Sequence, residues 1–188
     1  MHENKTTDLI GYLSPPIDPL DSDGSNQARN EAVLRIKFPD DYLEFGRVYG
    51  SGTILAGYSW EVWSPFRLTY PLIVMEFSRI CNIFREAMEI SDVPFGIFPE
   101  VGGVLPFANT SDGGWVCWRT QGDPNEWDVV DLQQYENGAY EILNLGFSEY
   151  FFAVLTRNIV LKRHANGDTW DPQKDLIFKQ RVFVDKGL

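Results

Sequence analysis

Two histidines and two cysteines are the natural candidates for nucleophilic or acid–base chemistry in this sequence. His2 stands near the start of the chain and His164 in a polar segment, whereas Cys81 and Cys117 stand among apolar residues. A nucleophilic catalyst needs a base held beside its nucleophile, and His164 is the one plausible base. The two cysteines are predicted to be buried thiols on core-facing positions, with a single disulfide as the alternative. We therefore expect no catalytic residue and no enzymatic activity.

Metal and phosphate sites are not predicted either. The sequence has no Cys/His cluster of the kind that holds zinc. The run Asp21-Ser22-Asp23-Gly24 is similar to the start of a calcium loop, but Ala32 stands where the bidentate Glu is needed. Gly50-Ser51-Gly52 is not followed by the Lys-Ser/Thr of a phosphate loop. We expect no metal and no cofactor.

The distribution of charge points to a class of partner. The chain has 188 residues and a net charge of −11, and residues 89–149 hold one basic residue, Arg119, against 11 acidic residues. A field of this sign repels nucleic acid and attracts basic proteins. The alternative is that the acidic residues only keep the domain soluble.

Acidic and aromatic residues are interleaved in the segment 112–141. Aromatic anchors inside a charged rim are typical of protein interfaces. The residues predicted to bind a partner are Asp112, Asp123, Glu126, Trp127, Asp128, Asp131, Tyr135 and Glu136.

The N-terminal sequence lacks the basic start and apolar stretch of a signal peptide. No run of about 18 apolar residues is present, so no membrane-spanning helix is expected. We therefore predict a cytoplasmic protein with no membrane partner.

The order of predicted elements favours an α+β domain with a mainly antiparallel sheet flanked by helices. Residues 1–24 are expected to form an irregular arm, 25–162 the domain, and 163–188 a C-terminal extension. Helices are predicted over 25–37, with Ala28, Ala32 and Ile36 on the apolar face, and over 148–162. A run of strands between them, rather than alternating strands and helices, indicates α+β rather than a parallel sheet.

Three motifs in order resemble the SUKH superfamily, which includes a fungal cell-wall assembly regulator and bacterial toxin-immunity proteins. The first is the Phe38–Gly50 helix and its stop, the second the hairpin 104–118, and the third the helix start at 146–151. The residues that carry the motifs are Pro39, Tyr42, Phe45, Gly50, Gly113, Gly114, Trp118 and Phe147.

The resemblance implies a single non-enzymatic domain of this superfamily. Many bacterial members bind and block a cognate secreted or contact-dependent toxin domain, often a nuclease, and the acidic segment 112–141 suits a basic partner of that kind. The alternative implied by the fungal member is a regulatory protein-interaction scaffold of the same fold.

Overall fold

An antiparallel sheet runs through the part of the chain that the computed structural model describes, residues 2–88, 95–133, 140–162 and 169–180. Its seven strands in the described residues are β1 (Gly52–Leu55), β2 (Ser59–Val62), β3 (Val104–Thr110), β4 (Trp115–Arg119), β5 (Val129–Leu132), β6 (Tyr140–Leu143) and β7 (Ile177–Gln180). Their order is β6-β5-β4-β3-β2-β1-β7. Strands β1 to β6 thus form a meander, and β7 returns from the end of the chain to pair with β1.

Helices lie on the sheet and confirm the predicted α+β class. Within the described residues they are α1 (Thr6–Ile10), α2 (Gln27–Leu34), α3 (Asp40–Tyr49), α4 (Tyr70–Met88) and α5 (Phe147–Leu155). Helices α1, α3 and α5 pack on one another, whereas α4 packs on β3 and α2.

Strand β4 shows how the two faces of the sheet are filled. Trp118 lies in the main core cluster, with its ring centre 4.8 Å from that of Tyr42 in α3 and 6.1 Å from that of Phe147 in α5. Its neighbour Cys117 lies in a second cluster with Phe77 of α4. Because successive residues of a strand point to opposite faces, α3 and α5 cover one face and α4 the other.

Helix α3 positions the site discussed below, and local rules set its bounds. Pro39 precedes the helix with φ −56°, and acidic residues occupy the first turn, where they favour the helix dipole. Gly50 ends the helix with φ +69°, and a Cβ there would lie only 1.9 Å from the carbonyl oxygen of Leu20. The helix buries three aromatic side chains at the predicted spacing: Tyr42, Phe45 and Tyr49.

Both terminal segments are part of the packed structure. The segment 1–24, predicted to be irregular, contains the short helix α1, whose Leu9 is fully buried, as is Leu13 after it. The Tyr49 hydroxyl donates to the Leu13 carbonyl at 2.6 Å and so attaches the arm to α3. In the C-terminal extension, β7 adds one strand to the sheet by pairing with β1.

Two predicted helices are shorter than expected. Helix α2 ends at Leu34 because Arg35 has φ +56°. Helix α5 ends at Leu155, and Arg157 soon after it has φ +62°. Residues with positive φ do not continue a right-handed helix.

Candidate functional site

The predicted acidic residues fall at opposite ends of strand β4. Asp112 lies in the turn before the strand, whereas Asp123 and Glu126 lie in the turn after it. A five-residue strand spans roughly 17 Å at about 3.3 Å per residue. The residues around Asp112 and those around Asp123 therefore do not form one continuous patch.

Asp112 belongs to the β3–β4 hairpin turn. Its Oδ1 accepts a hydrogen bond from the Thr110 hydroxyl at 2.5 Å and another from the Gly114 N–H at 3.2 Å. Gly113 has φ +85°, which glycine adopts without steric cost. The Asp112 carboxylate thus stabilises the hairpin turn, and this role accounts for its position.

Asp131 and Trp127 are buried, which corrects their assignment to an exposed partner surface. Asp131 is fully buried on β5 and accepts a hydrogen bond from the Tyr150 hydroxyl at 3.1 Å. Trp127 is 5% exposed, and its indole N–H donates to the Gly122 carbonyl at 3.3 Å. Both faces of the sheet are covered at β5, so Val129, Val130 and Asp131 are all buried, whereas Trp127 lies before the strand and packs with its ring centre 6.1 Å from that of Trp118. Tyr135 and Glu136 lie outside the described residues, as does His164.

Asp123 and Glu126 are exposed and lie next to the start of α3. Asp123 accepts a hydrogen bond from the Asn125 N–H at 2.9 Å and so begins a short 3-10 turn, Pro124–Glu126. The Asn125 side chain accepts from the Asp40 N–H at 2.8 Å and donates to the Asp40 carboxylate at 3.1 Å. These two hydrogen bonds attach residues Asp123–Glu126, which we call the acidic turn, to Asp40, the first residue of α3.

Two adjacent cavities flank this contact, and we call them together the α3 groove. They share Asp40, Pro124 and Asn125. The first has a volume of about 350 Å³ and is also lined by His2, Asn4, Pro39, Asp41, Trp118, Trp127, Gly146 and Phe147. The second has a volume of about 300 Å³ and is also lined by Gln27, Glu31, Lys37, Phe38, Leu43 and Asp123. The groove thus combines aromatic walls with carboxylates.

Asp41 joins α3 to α5 at the first cavity. Its Oδ2 accepts hydrogen bonds from the Ser148 N–H at 2.8 Å and the Ser148 hydroxyl at 2.9 Å. Burial raises the pKa of the Asp41 carboxyl, while the bonds from Ser148 and the nearby His2 act in the opposite direction. Asp41 lies in the first turn of α3, and its carboxylate also accepts hydrogen bonds at the start of α5.

His2 sits in the first cavity, a position that sequence reasoning missed. Its Nδ1 lies 3.1 Å from Oε2 of Glu149, and its Nε2 lies 3.4 Å from Oδ1 of Asp128. Asp128 also lies 3.3 Å from the Arg119 guanidinium. We call residues His2–Lys5 the N-terminal strap, because backbone N–H groups of Glu3 and Lys5 donate to side chains of α5.

A family model described as SMI1-KNR4 cell-wall, named SUKH_6, matches residues 26–151. The chain belongs to the SUKH superfamily. No curated protein matches it. No solved structure matches it either. The matched SUKH segment runs from the start of α2 into α5 and includes Asp40, Asp123 and Asn125, whereas His2 precedes it.

The described part of this SUKH protein shows no cluster of three or more His, Cys, Asp or Glu side chains arranged to hold a metal ion. Among the helices of the described residues, none is both long and apolar enough to cross a membrane. Cys117 is buried and Cys81 is partly exposed, and neither forms a disulfide. The α3 groove is the candidate site, and its carboxylates suit it to charge recognition.

Proposed function

We propose that this SUKH protein is an immunity protein that binds and neutralises the catalytic domain of a cognate secreted or contact-dependent toxin. A nuclease is the toxin class we expect, and the α3 groove with its acidic turn is the expected contact surface. Family membership supports the general role, since bacterial members of the superfamily resemble such antidotes. The cytoplasm is the expected compartment, because a nuclease toxin acts there.

The observation that carries the proposal is the placement of three exposed carboxylates beside the groove, those of Asp40, Asp123 and Glu126. Asp40 and Asp123 line the same cavity of the groove, and Glu126 is exposed on the adjoining turn. Trp118 and Trp127 line the other cavity. A nuclease cleft binds a polyanion and is therefore basic, so a carboxylate-rimmed groove is complementary to it and accelerates association.

A growth-rescue experiment tests this function. The toxin domain encoded beside this gene is induced in a host cell, with and without the SUKH protein. We expect growth only in its presence, and loss of rescue when Asp40, Asp123 and Glu126 are all changed to Lys. Growth arrest despite the wild-type protein would contradict the proposal and leave the regulatory scaffold as the alternative.

The matched control is Asp18→Lys. It makes the same Asp-to-Lys change in charge, but at a site outside the groove. Asp18 is exposed, and its carbonyl accepts a hydrogen bond from Gln180 of β7. Strand β7 is four positions from β4 in the sheet order, which corresponds to about 19 Å at roughly 4.8 Å per strand. Rescue should therefore survive this substitution.

A further inference from the structure

A patch of exposed apolar side chains lies where α2 packs against the start of α4. Its members, which we call the α4 patch, are Val33, Leu68, Leu72 and Met75. They are four of the ten exposed large apolar side chains among the described residues, so they are clustered rather than scattered singly. Clustered apolar surface of this kind usually marks an interaction site.

One hydrogen bond places the two helices so that the four side chains adjoin. The Arg29 guanidinium donates to the Leu68 carbonyl at 2.8 Å and brings the exposed side of α2 to the start of α4. Val33 follows Arg29 by four residues and so lies on the same side of α2. Leu72 and Met75 are three residues apart and share one side of α4. The patch is therefore one surface built from two helices.

The spacing of exposed positions along α4 is symmetric. They follow one another at intervals of four, three and four residues: Leu68, Leu72, Met75 and Arg79. These are the intervals of a coiled-coil seam. An identical helix laid antiparallel on the seam places Met75 of the second copy opposite Leu72, and Arg79 of the second copy opposite Leu68. The spacing thus fits a twofold contact, in which the same patch serves both copies.

The charges around the patch suit a second copy better than a basic protein. On α2, at its end and on the described side chains of α4, the exposed charged residues are three arginines and one glutamate: Arg29, Arg35, Arg79 and Glu76. This face is thus basic on a chain whose net charge is −11. A basic toxin domain would be repelled here, whereas two copies of an acidic protein meet with less repulsion here than at the acidic turn.

The antiparallel arrangement also brings opposite charges together. Glu76 of one copy comes opposite position 71 of the other, at the start of α4, where Arg29 is held by its bond to Leu68. The twofold axis repeats this pairing at the other edge of the contact. The two sides are therefore complementary in charge as well as apolar at the centre.

We propose that the α4 patch joins two copies of this chain in a twofold, antiparallel helix contact. Leu72 and Met75 form its apolar centre, and Arg29 and Glu76 pair across both edges. The contact does not use the acidic turn, so the inference does not depend on the toxin role.

The size of the patch sets the expected affinity. From Leu68 to Arg79 the seam is about 17 Å long at roughly 1.5 Å per residue, which is short for a permanent dimer interface. We therefore expect a dissociation constant of roughly 10–100 µM. Analytical ultracentrifugation of the full-length protein at about 1–500 µM, a range that brackets this constant, should show a monomer–dimer equilibrium. A monomer at every concentration would overturn the inference.

Substitution at the centre of the patch tests its location. Leu72→Glu would bury an unpaired carboxylate in the contact, so the dissociation constant should rise at least roughly tenfold. Val160→Glu is the matched control, because Val160 is equally exposed but follows α5, on the opposite face of the sheet. Near-ultraviolet circular dichroism checks that both variants keep the native packing. Unchanged dimerisation of Leu72→Glu, or equal weakening by Val160→Glu, would overturn the inference.

Charge exchange tests the antiparallel arrangement. Arg29→Glu and Glu76→Arg should each weaken self-association roughly fivefold, because each variant places like charges at both edges. An equimolar mixture of the two variants restores opposite charges at both edges and should dimerise about as tightly as the wild type. Damage to the fold of either variant could not produce this recovery. A mixture that associates no more tightly than the separate variants would overturn the proposed contact.

Discussion

Asp41 of α3 accepts two hydrogen bonds from Ser148 of α5, at 2.8 Å from the backbone N and 2.9 Å from Oγ. Ser148 is fully buried, so its backbone N–H would lack a partner if the carboxylate were removed, and its hydroxyl would keep only the Glu3 carbonyl at 3.5 Å. We predict that Asp41→Ala lowers the free energy of unfolding by about 1–3 kcal/mol, the usual cost of an unsatisfied buried donor. Urea denaturation measures this directly.

Asp41→Asn is the matched variant, because its amide oxygen keeps one acceptor in the same place. We expect Asp41→Asn to lower the free energy of unfolding by less than about 1 kcal/mol. Equal losses in the Ala and Asn variants would show that the charge of Asp41, rather than the accepted hydrogen bonds, stabilises the junction of α3 and α5.

The carboxyls of Glu31 and Asp41 should change the free energy of unfolding in opposite directions as the pH changes. Burial raises the pKa of Glu31, but hydrogen bonds from Lys37, Gln27 and the Phe38 N–H outweigh it, and the net pKa lies below the ordinary 4.5. Its contribution is therefore present above about pH 4.5 and is lost as the pH falls through the folded-state pKa. Glu31→Gln should lose less stability than the wild type on acidification, measured by urea midpoints between about pH 3 and 6.

The Asp41 carboxyl has its pKa raised above the ordinary 3.8, chiefly by burial. Its contribution is complete below about pH 3.8 and is lost as the pH rises through the raised pKa. Relative to the wild type, Asp41→Asn should therefore gain stability as the pH rises, the opposite of the Glu31→Gln trend on acidification. Parallel pH curves for both variants and the wild type would contradict the assignments.

Those parts of the fold that depend on local rules were predictable from the sequence. The apolar spacing and Gly50 define α3, and Gly113 with Asp112 defines the β3–β4 turn. The apolar face predicted for α2 is wrong, because Ala28 and Ala32 are exposed and the helix buries Asn30, Glu31 and Leu34 instead. Asn30 is fully buried there and donates to the carbonyls of two later residues, Pro65 and Arg67, at 2.8 Å each.

The candidate site was predictable only in part. Charge and aromatic content led to the segment that contains Asp123 and Glu126, but packing on both faces of β5 buries Asp131 in the same segment. The groove itself depends on tertiary contacts between His2, Asp41 and Glu149, which no spacing in the sequence brings together. The position of His2 in the sequence does not indicate which residues it contacts, because those contacts depend on how the N-terminal strap packs on α5.

The close approach of Gly50 to Leu20 predicts a large cost for a single methyl group. Gly50 has φ +69° and its Cβ would lie 1.9 Å from the Leu20 carbonyl oxygen. Alanine is strained at a positive φ, and its methyl group would overlap the Leu20 carbonyl. Gly50→Ala should therefore lower the free energy of unfolding by roughly 3 kcal/mol or more. Thermal and urea unfolding measure it.

Gly122→Ala is the control, since Gly122 has φ +81° and no atom within 4 Å of its Cβ position. We expect Gly122→Ala to lower the free energy of unfolding by only about 1–2 kcal/mol, the cost of placing alanine at a positive φ. A similar loss in both variants would mean that the contact with Leu20 adds nothing.

The two thiols should react at different rates. Burial raises the pKa of the Cys117 thiol well above its ordinary range, with Cys81 and Asp131 adding to the effect, and the thiolate is the reactive form. Cys81 is partly exposed. We predict that a disulfide reagent modifies one thiol of the native protein quickly and the second only after unfolding. Cys81→Ser should abolish the fast phase and Cys117→Ser should keep it, whereas two fast phases in the native protein would contradict the burial of Cys117.

The exposed acidic turn should control how fast a basic partner is captured. Changing both Asp123 and Glu126 to Lys removes attraction without touching the core, because both side chains are exposed. We expect association with the toxin domain to slow roughly tenfold at low salt, with a flatter dependence of the rate on ionic strength. Stopped-flow fluorescence measures both quantities. Asp18→Lys should leave the rate close to that of the wild type, and an unchanged rate in the Asp123/Glu126 variant would exclude this turn from the interface.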